Sequence, residues 1–287
     1  MSEAKIGIIG GSGLYKMAGM TEAEEVKLTT PFGNPSDAII LGNFEGVRIA
    51  FLPRHGKGHR ISPSELPVKA NIYALKSLGV ERIISVNAVG SFKEEIQPLD
   101  FIVPNQLIDW TRGRNNTFFT NGIVGHISFA EPFCPILRRT LFEVVTKAGA
   151  RVHEGGIYLA TEGPQFSTKA ESELYRSWGA DVIGMTVLPE AKLAREAEIC
   201  YASLAFVTDY DCWHLGYELV STEMIMNNMR KSIDATKKIL KLLIPSIPQK
   251  RDCVCVTALK DAIATSPKYI PEKIKEDLAP LIGKYLS

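Results

Sequence analysis

A chain of 287 residues, 45% hydrophobic and 23% charged, carries enough apolar material for a substantial core, in one large domain or two small ones. Its 33 lysines and arginines stand against 32 aspartates and glutamates, which excludes the basic excess used on nucleic acid or an anionic membrane and leaves small molecules or proteins as partners. The opening MSEAK runs straight into IGII without the apolar stretch of a signal peptide, and no later run is long enough to span a bilayer, so a cytoplasmic location is expected.

Along the chain, strand-like apolar runs fall at 6–9, 38–42, 47–52, 82–87, 101–103, 157–160, 181–184 and 200–208. Helical patterns fall at 65–78, 134–149, 168–178, 188–199 and 221–244. AIILG and VRIAFLP around NFEG predict a hairpin. Strands then alternate with helices, which predicts an α/β fold: a single domain with a central mixed β-sheet flanked by helices. Residues 1–246 are expected to form that domain, since no Pro/Gly/Ser-rich linker interrupts them. Residues 247–287 read as a charged C-terminal tail with short helical patterns near 256–263 and 271–285, either mobile or docked on a neighbouring subunit.

Several strand ends carry chemistry. KIGIIGGSGLYK runs a buried strand into Gly10, Gly11, Ser12 and Gly13, where backbone amides and the Ser12 hydroxyl can approach an anion. The string lacks the last glycine of GxGxxG and has no GK[ST], so both well-known nucleotide loops are excluded, leaving an ordinary tight turn or an anion cradle. FLPRHGKGHR sets Arg54, a planar fork suited to phosphate, beside His55 as a further donor; a solvated basic turn is the alternative. His55 and His59 are four apart, but no second cluster with metal-ligand spacing occurs, so no metal is expected. SVNAVGS ends a strand in small residues, and ATEGPQFST places Phe166 in a polar loop after another strand.

FVTDYDCW closes an apolar run with two aspartates; strand periodicity would put Asp209 and Asp211 on one face and Tyr210 on the other. Taken alone, such a pair is more often a solvated turn or cap. The five cysteines, Cys134, Cys200, Cys212, Cys253 and Cys255, form neither an even framework nor paired CxxC spacing, so most are read as reduced, with the CxC of Cys253 and Cys255 held open.

Together GGSGL (10–14), PRHG (53–56), NAVGS (87–91), AEPFC (130–134), EGPQFST (162–168), IGMT (183–186), PEAKLAREAEICYAS (189–203) and TDYDCW (208–213) resemble the 5′-methylthioadenosine phosphorylases, from about residue 5 to 246. That family belongs to the trimeric nucleoside phosphorylases, whose fold is a single α/β domain around a mixed sheet. The resemblance implies phosphorolysis: orthophosphate attacks C1′ of methylthioadenosine, giving adenine and 5-methylthioribose 1-phosphate, with no cofactor because phosphate is a co-substrate. It implies a phosphate cradle of Ser12, Arg54, His55, the Ala88 backbone and Thr186. By the same resemblance Asp209 serves adenine N7, Asp211 orients the exocyclic amino group, Phe166 packs on the purine and Met185 reaches the ribose.

The 5′ substituent would meet Thr222, Ile225 and Met226, with His126 closing the pocket from an adjacent subunit of a homotrimer or a dimer of trimers. An apolar socket suits a methylthio group as a hydrogen-bond partner suits a hydroxyl. Asn87 stands where relatives often have Ser or Thr, and Ser12 replaces a threonine; both keep a polar group, so changed affinities are expected. Some heat-stable relatives form disulfides at a CxC in the tail, which leaves Cys253 and Cys255 either bridged or reduced. The runner-up within the fold is phosphorolysis of 6-oxopurine nucleosides such as methylthioinosine, for which an asparagine at 209 would be expected. A non-catalytic nucleoside-binding protein is the alternative from another class.

Overall fold

The apolar runs assemble into one eleven-stranded mixed sheet, in the computed structural model that describes residues 3–11, 14, 19–214 and 221–286. Its strands are β1 (Ile6–Gly10), β2 (Thr21–Val26), β3 (Ile39–Phe44), β4 (Val47–Pro53), β5 (Arg82–Ser91) and β6 (Phe101–Val103). They continue with β7 (Gln106–Trp110), β8 (Val152–Glu154), β9 (Ile157–Thr161), β10 (Val182–Gly184) and β11 (Cys200–Asp209). The helices are α1 (Val68–Ser77), α2 (Pro135–Lys147), α3 (Lys169–Ser177), α4 (Val187–Glu196), α5 (Thr222–Ser246), α6 (Glu272–Asp277) and α7 (Ala279–Ile282).

The main strand order is β2-β3-β4-β1-β5-β10-β9-β7. β5 is the branch point: residues 82–85 pair with β1, residues 90–91 with β10, and nearly its whole length with parallel β11, which leads on to β6 and β8. The predicted hairpin is β3–β4, antiparallel with Phe44 opposite Val47. Its two turn residues, Glu45 and Gly46, have φ of 51° and 77°, the left-handed pair that such a tight turn demands and that Gly46 adopts without a Cβ penalty.

Both faces of the central strands are covered, and neighbouring residues divide between two cores. Ile9, Ile83 and Tyr201 pack with α1, α4 and α7, whereas Ile8, Ile84 and Ala202 pack with α2 and α5. A strand buried on both sides has no polar alternation, which is why these runs read as continuously apolar. Three strands escape sequence detection. β2, TEAEEV, is an exposed charged edge that buries almost nothing, and β6's partner β8 has only three residues; β7, QLIDW, is half-buried and short.

Residues beyond 246 lie on the same chain. Leu259, Ile270, Leu278, Leu281 and Ile282 join the core built on α1. The buried Glu198 carboxylate receives the Leu259 amide at 3.2 Å, the Tyr285 hydroxyl at 2.6 Å and the Lys284 ammonium at 2.5 Å. Arg82 donates to the carbonyls of Pro248 and Gln249, each at 2.6 Å. No helix among the described residues is long and apolar enough to cross a membrane.

Ile282 is fully buried, so Ile282→Ala should cost about 2–5 kcal/mol. If the tail folds with the domain, urea unfolding of this variant will shift as one transition in fluorescence and circular dichroism; a separate early transition would show an independently melting tail.

Candidate active site

β1, β4, β5 and β11 run parallel, so their carboxyl ends meet at one edge of the sheet. Ligands of α/β sheets bind at such an edge, where chain leaving the strands can turn side chains inward. A cavity of about 350 Å³ lies there, and Arg54, His55, Ala88, Phe166, Met185, Thr186, Asp209, Asp211, Thr222, Ile225 and Met226 all line it. Ser12 lies outside the described residues, between Gly11 and Leu14, which both line the cavity. His126 is not among the lining residues of its own chain's cavity; it is exposed, with its backbone amide bonded to the Ala262 carbonyl at 2.8 Å.

Arg54 leaves β4 directly into the interior and is only 2% exposed. Its Nε meets Glu190 Oε1 at 2.6 Å, and Nη2 donates to Ser85 Oγ at 2.6 Å and lies 3.3 Å from Glu190 Oε2. One edge of the expected phosphate fork is thus occupied by Glu190. Nη1, which donates to the Val86 carbonyl at 2.9 Å, is the terminal nitrogen on the Gly11 side, where a Cβ added to that glycine would sit 3.9 Å away. Burial by itself would lower the guanidinium's pKa, but the Glu190 carboxylate outweighs it, so the positive charge is held.

His55 places Nδ1 2.9 Å from the Ile61 carbonyl, which can only accept. Burial, the Arg54 charge and neighbouring His59 push its pKa down to about 4, so at neutral pH its single N–H is spent on Ile61. The ring is therefore not the extra donor that the sequence implied: Nε2 is an acceptor unless the ring gains a proton. His59 stacks on it with centroids 4.2 Å apart. Thr186, at the amino end of α4, accepts the Asn87 amide at 2.8 Å, while Asn87 Oδ1 accepts from Ser203 at 2.9 Å. Asn87 thus occupies a lone pair of Thr186 and leaves the hydroxyl proton for another acceptor.

The strand β11 ends at Asp209, with a register shift between Val207 and Asp209 opposite β5. Asp211 therefore belongs to the following turn rather than to the strand face, yet both carboxylates reach the cavity. Asp209 is 4% exposed, and Thr208 donates to its Oδ2 at 2.7 Å. Burial, reinforced by the Asp211 charge, raises its pKa to about 6 against the opposition of the Thr208 bond. Burial also raises Asp211. The approach to Asp209 is close: a Cβ on Gly90 of β5 would come within 2.9 Å of Oδ1, so glycine is needed there for space.

Phe166 is 45% exposed at the cavity wall. Thr222, Ile225 and Met226 open α5, whose Ser221 accepts the Met224 amide at 3.2 Å as an N-cap. Met229, Ile233 and Thr236 extend the same wall one to three turns further, joined by Phe206 and Leu14. Their helical spacing was visible in sequence, but it was indistinguishable from ordinary core packing. Arg114 was missed altogether. It donates to the carbonyls of Met185 and Leu188 at 2.6 and 2.7 Å and to that of Glu162 at 2.6 Å, tying the loop before Phe166 to the segment carrying Met185 and Thr186. No motif marks it, because its partners, the Glu162 carboxylate at 3.1 Å and backbone carbonyls, lie far away in sequence.

The metal expectation also meets a difference. His55 and His59 stack face to face, but Cys134, Cys200, Cys253 and Cys255 come together elsewhere, with all four Sγ atoms within 4.8 Å of one another. Sequence spacing hid this cluster because its members lie on three separate stretches.

A family model described as the phosphorylase superfamily matches residues 5–245. The chain is 52% identical over 283 residues to S-methyl-5′-thioadenosine phosphorylase of Koribacter versatilis (strain Ellin345), covering 99% of this chain and 97% of the relative. A methylthioadenosine phosphorylase sourced from an Antarctic soil metagenomic library has the same fold, with TM-score 0.93 and 47% identity over 98% of this chain and 99% of that one. The methylthioadenosine phosphorylase of Schistosoma mansoni in complex with adenine gives TM-score 0.83 and 36% identity over 98% of both chains. On this sheet, this cavity and these full-length likenesses, the chain belongs to the phosphorylase superfamily and, within it, to the S-methyl-5′-thioadenosine phosphorylases.

Proposed function

We propose that the chain cleaves 5′-methylthioadenosine with orthophosphate, releasing adenine and 5-methylthioribose 1-phosphate. The observation that carries this is one cavity lined by Arg54 and Thr186, by two buried carboxylates, and by the apolar Phe166, Ile225 and Met226. A phosphate oxygen attacks C1′ as the C1′–N9 bond breaks, and that bond's electron pair passes to the purine. The sugar becomes cationic and the purine negative, so catalysis needs phosphate fixed beneath C1′ and the departing charge neutralised.

Arg54 supplies the fixed charge and the Ser12 hydroxyl, the Ala88 backbone and Thr186 the remaining contacts. His55 takes a hydrogen bond from a protonated phosphate oxygen through Nε2, in keeping with its neutral ring. Asp209 faces N7 and shares or donates the proton that the departing purine takes up; Asp211 accepts from the exocyclic amino group. Phe166 packs on the purine, Met185 on the ribose, and Thr222, Ile225 and Met226 surround the methylthio group. A raised Asp209 pKa brings a proton within reach near neutral pH, and exclusion of water by bound purine pushes it further in that direction.

His126 acts on a neighbouring chain's cavity in a trimer or a pair of trimers. In support, it is exposed and away from its own cavity, and the exposed pair Trp110 and Trp178, with ring centroids 5.0 Å apart, offers an apolar surface for association.

The direct test is adenine release from methylthioadenosine with and without phosphate, beside methylthioinosine and inosine. Phosphate-dependent release confined to the 6-aminopurine supports the assignment; turnover of only 6-oxopurines overturns it, and tight binding without turnover marks a binding protein. Asp209→Asn should lower kcat/KM for methylthioadenosine by about 10²–10⁴-fold and raise the relative preference for methylthioinosine; an unchanged ratio between the substrates would remove Asp209 from base selection.

The same substitution should stabilise the fold. The folded chain holds the Asp209 proton up to about pH 6, whereas an ordinary aspartate holds it only to 3.8. The buried charge therefore opposes folding in full above pH 6, and its penalty fades as pH falls to 3.8. Asp209→Asn should gain about 2–3 kcal/mol over wild type at pH 7.5, narrowing to near zero at about pH 4. Denaturant melts across that range would refute the linkage if the gap were independent of pH.

A further inference from the structure

We propose that Cys134, Cys200, Cys253 and Cys255 bind one structural zinc ion, which fastens the C-terminal tail to the core. Cys134 caps the start of α2, Cys200 opens β11, Cys253 precedes the short 3-10 turn Val254–Thr257 of the tail, and Cys255 lies within it. The Cys134 amide donates to the Tyr201 carbonyl at 2.8 Å, which fixes the first two ligands beside each other. Every pair of Sγ atoms lies within 4.8 Å, and Cys200 and Cys253 are 3.4 Å apart. A tetrahedral ion with Zn–S bonds of about 2.3 Å needs sulfurs about 3.8 Å from one another. The cluster needs only small adjustments to meet that geometry. Two separate disulfides would require only two close pairs, whereas an ion requires the mutual approach of all four.

The surroundings suit the charge. Four thiolates around a divalent ion leave a net charge of −2, and Arg82, Lys250 and Arg251 line the same small cavity as Cys134, Cys200 and Cys253. Arg82 and Arg251 also pair with Glu81, at 3.4 and 3.3 Å, so their charge is shared rather than wholly directed at the sulfurs. Cys134, Cys200 and Cys255 are buried, and Cys253 is partly exposed, which supplies the route by which an ion enters. Four sulfur donors in a tetrahedral set favour zinc or iron. A site that fastens chain segments and passes no electron to phosphorolysis calls for the redox-inert ion. Four protein ligands leave no open position for a substrate, so the ion is structural. The strand β11 separates Cys200 from Asp209 by roughly 30 Å, so the metal acts on tail docking and not on the reacting atoms.

The test uses the full chain, with any tag removed and a reducing agent present throughout. Elemental analysis should find about one zinc per chain, lost in Cys253→Ser and in Cys255→Ser but retained in Cys212→Ser. The Cys212 thiol lies elsewhere, donating to the Ser167 carbonyl at 3.3 Å. Because the variants can fail to fold, wild-type protein is also stripped with a chelator and refilled with cobalt(II), which should restore about one metal per chain and give the visible absorption of a tetrahedral tetrathiolate site. Stripping should expose the stretch 247–252 to limited proteolysis. Reduced protein that takes up neither metal, one iron per chain in place of zinc, or mass-spectrometric pairing of these cysteines as disulfides without metal would each overturn the proposal.

Discussion

The buried pair of Arg54 and Glu190 is the constraint around which the cavity is arranged. Each side chain is 2% exposed, and a lone charge at that depth would be strongly disfavoured. Glu190 comes from α4, and its Oε2 also accepts from Tyr201 of β11 at 2.8 Å, while Arg54 reaches Ser85 and the Val86 carbonyl of β5. Strand β4, strand β5, helix α4 and strand β11 are thereby held in one register by charge-assisted hydrogen bonds. The cost of leaving any member unpaired keeps the carboxyl ends of these strands together. The pairing also decides what Arg54 has left to offer: a fixed positive charge and one terminal nitrogen towards Gly11, rather than an open fork.

The carboxylate part of the site rests on the opposite choice. Among the described residues Asp209 has a hydroxyl donor but no cation in its polar contacts, so burial dominates and its proton is retained to about pH 6. One carboxylate, Glu190, is spent on holding an arginine, and the other is kept near its titration point. That division places a fixed cation and a carboxylate that titrates near pH 6 in the lining of a single cavity. Local instability at Asp209 is supported by the stable frame of β5 and β11, which pair over nearly all their length.

Arg114 and Asn87 shape the cavity without belonging to its lining. Arg114 fixes the carbonyls of Met185, Leu188 and Glu162, and Asn87 sets the direction in which Thr186 can donate. The tail follows the same logic at larger scale. Its apolar residues complete the core on α1, its polar ends converge on Glu198, and its CxC meets cysteines of α2 and β11.

Sequence by itself determined the elements whose burial is continuous or whose period is regular. The central strands, the five long helices and the β3–β4 hairpin follow from apolar runs and turn chemistry, because those signals are local. Ordered short motifs also identified the family and the strand-end residues of the cavity, but not the part of its wall made by Phe206, Met229, Ile233 and Thr236. Strands β2, β7 and β8 were not legible, since an exposed charged edge or a segment of a few residues has no hydrophobic period to read. Only tertiary structure decided that Glu190 occupies one edge of Arg54, that His55 spends its N–H on Ile61, and that Asp211 reaches the cavity from a turn. It alone joined four cysteines from three stretches. These are long-range relations between polar atoms, fixed by which strands pair and which charges must be satisfied in the interior, and no local periodicity encodes them.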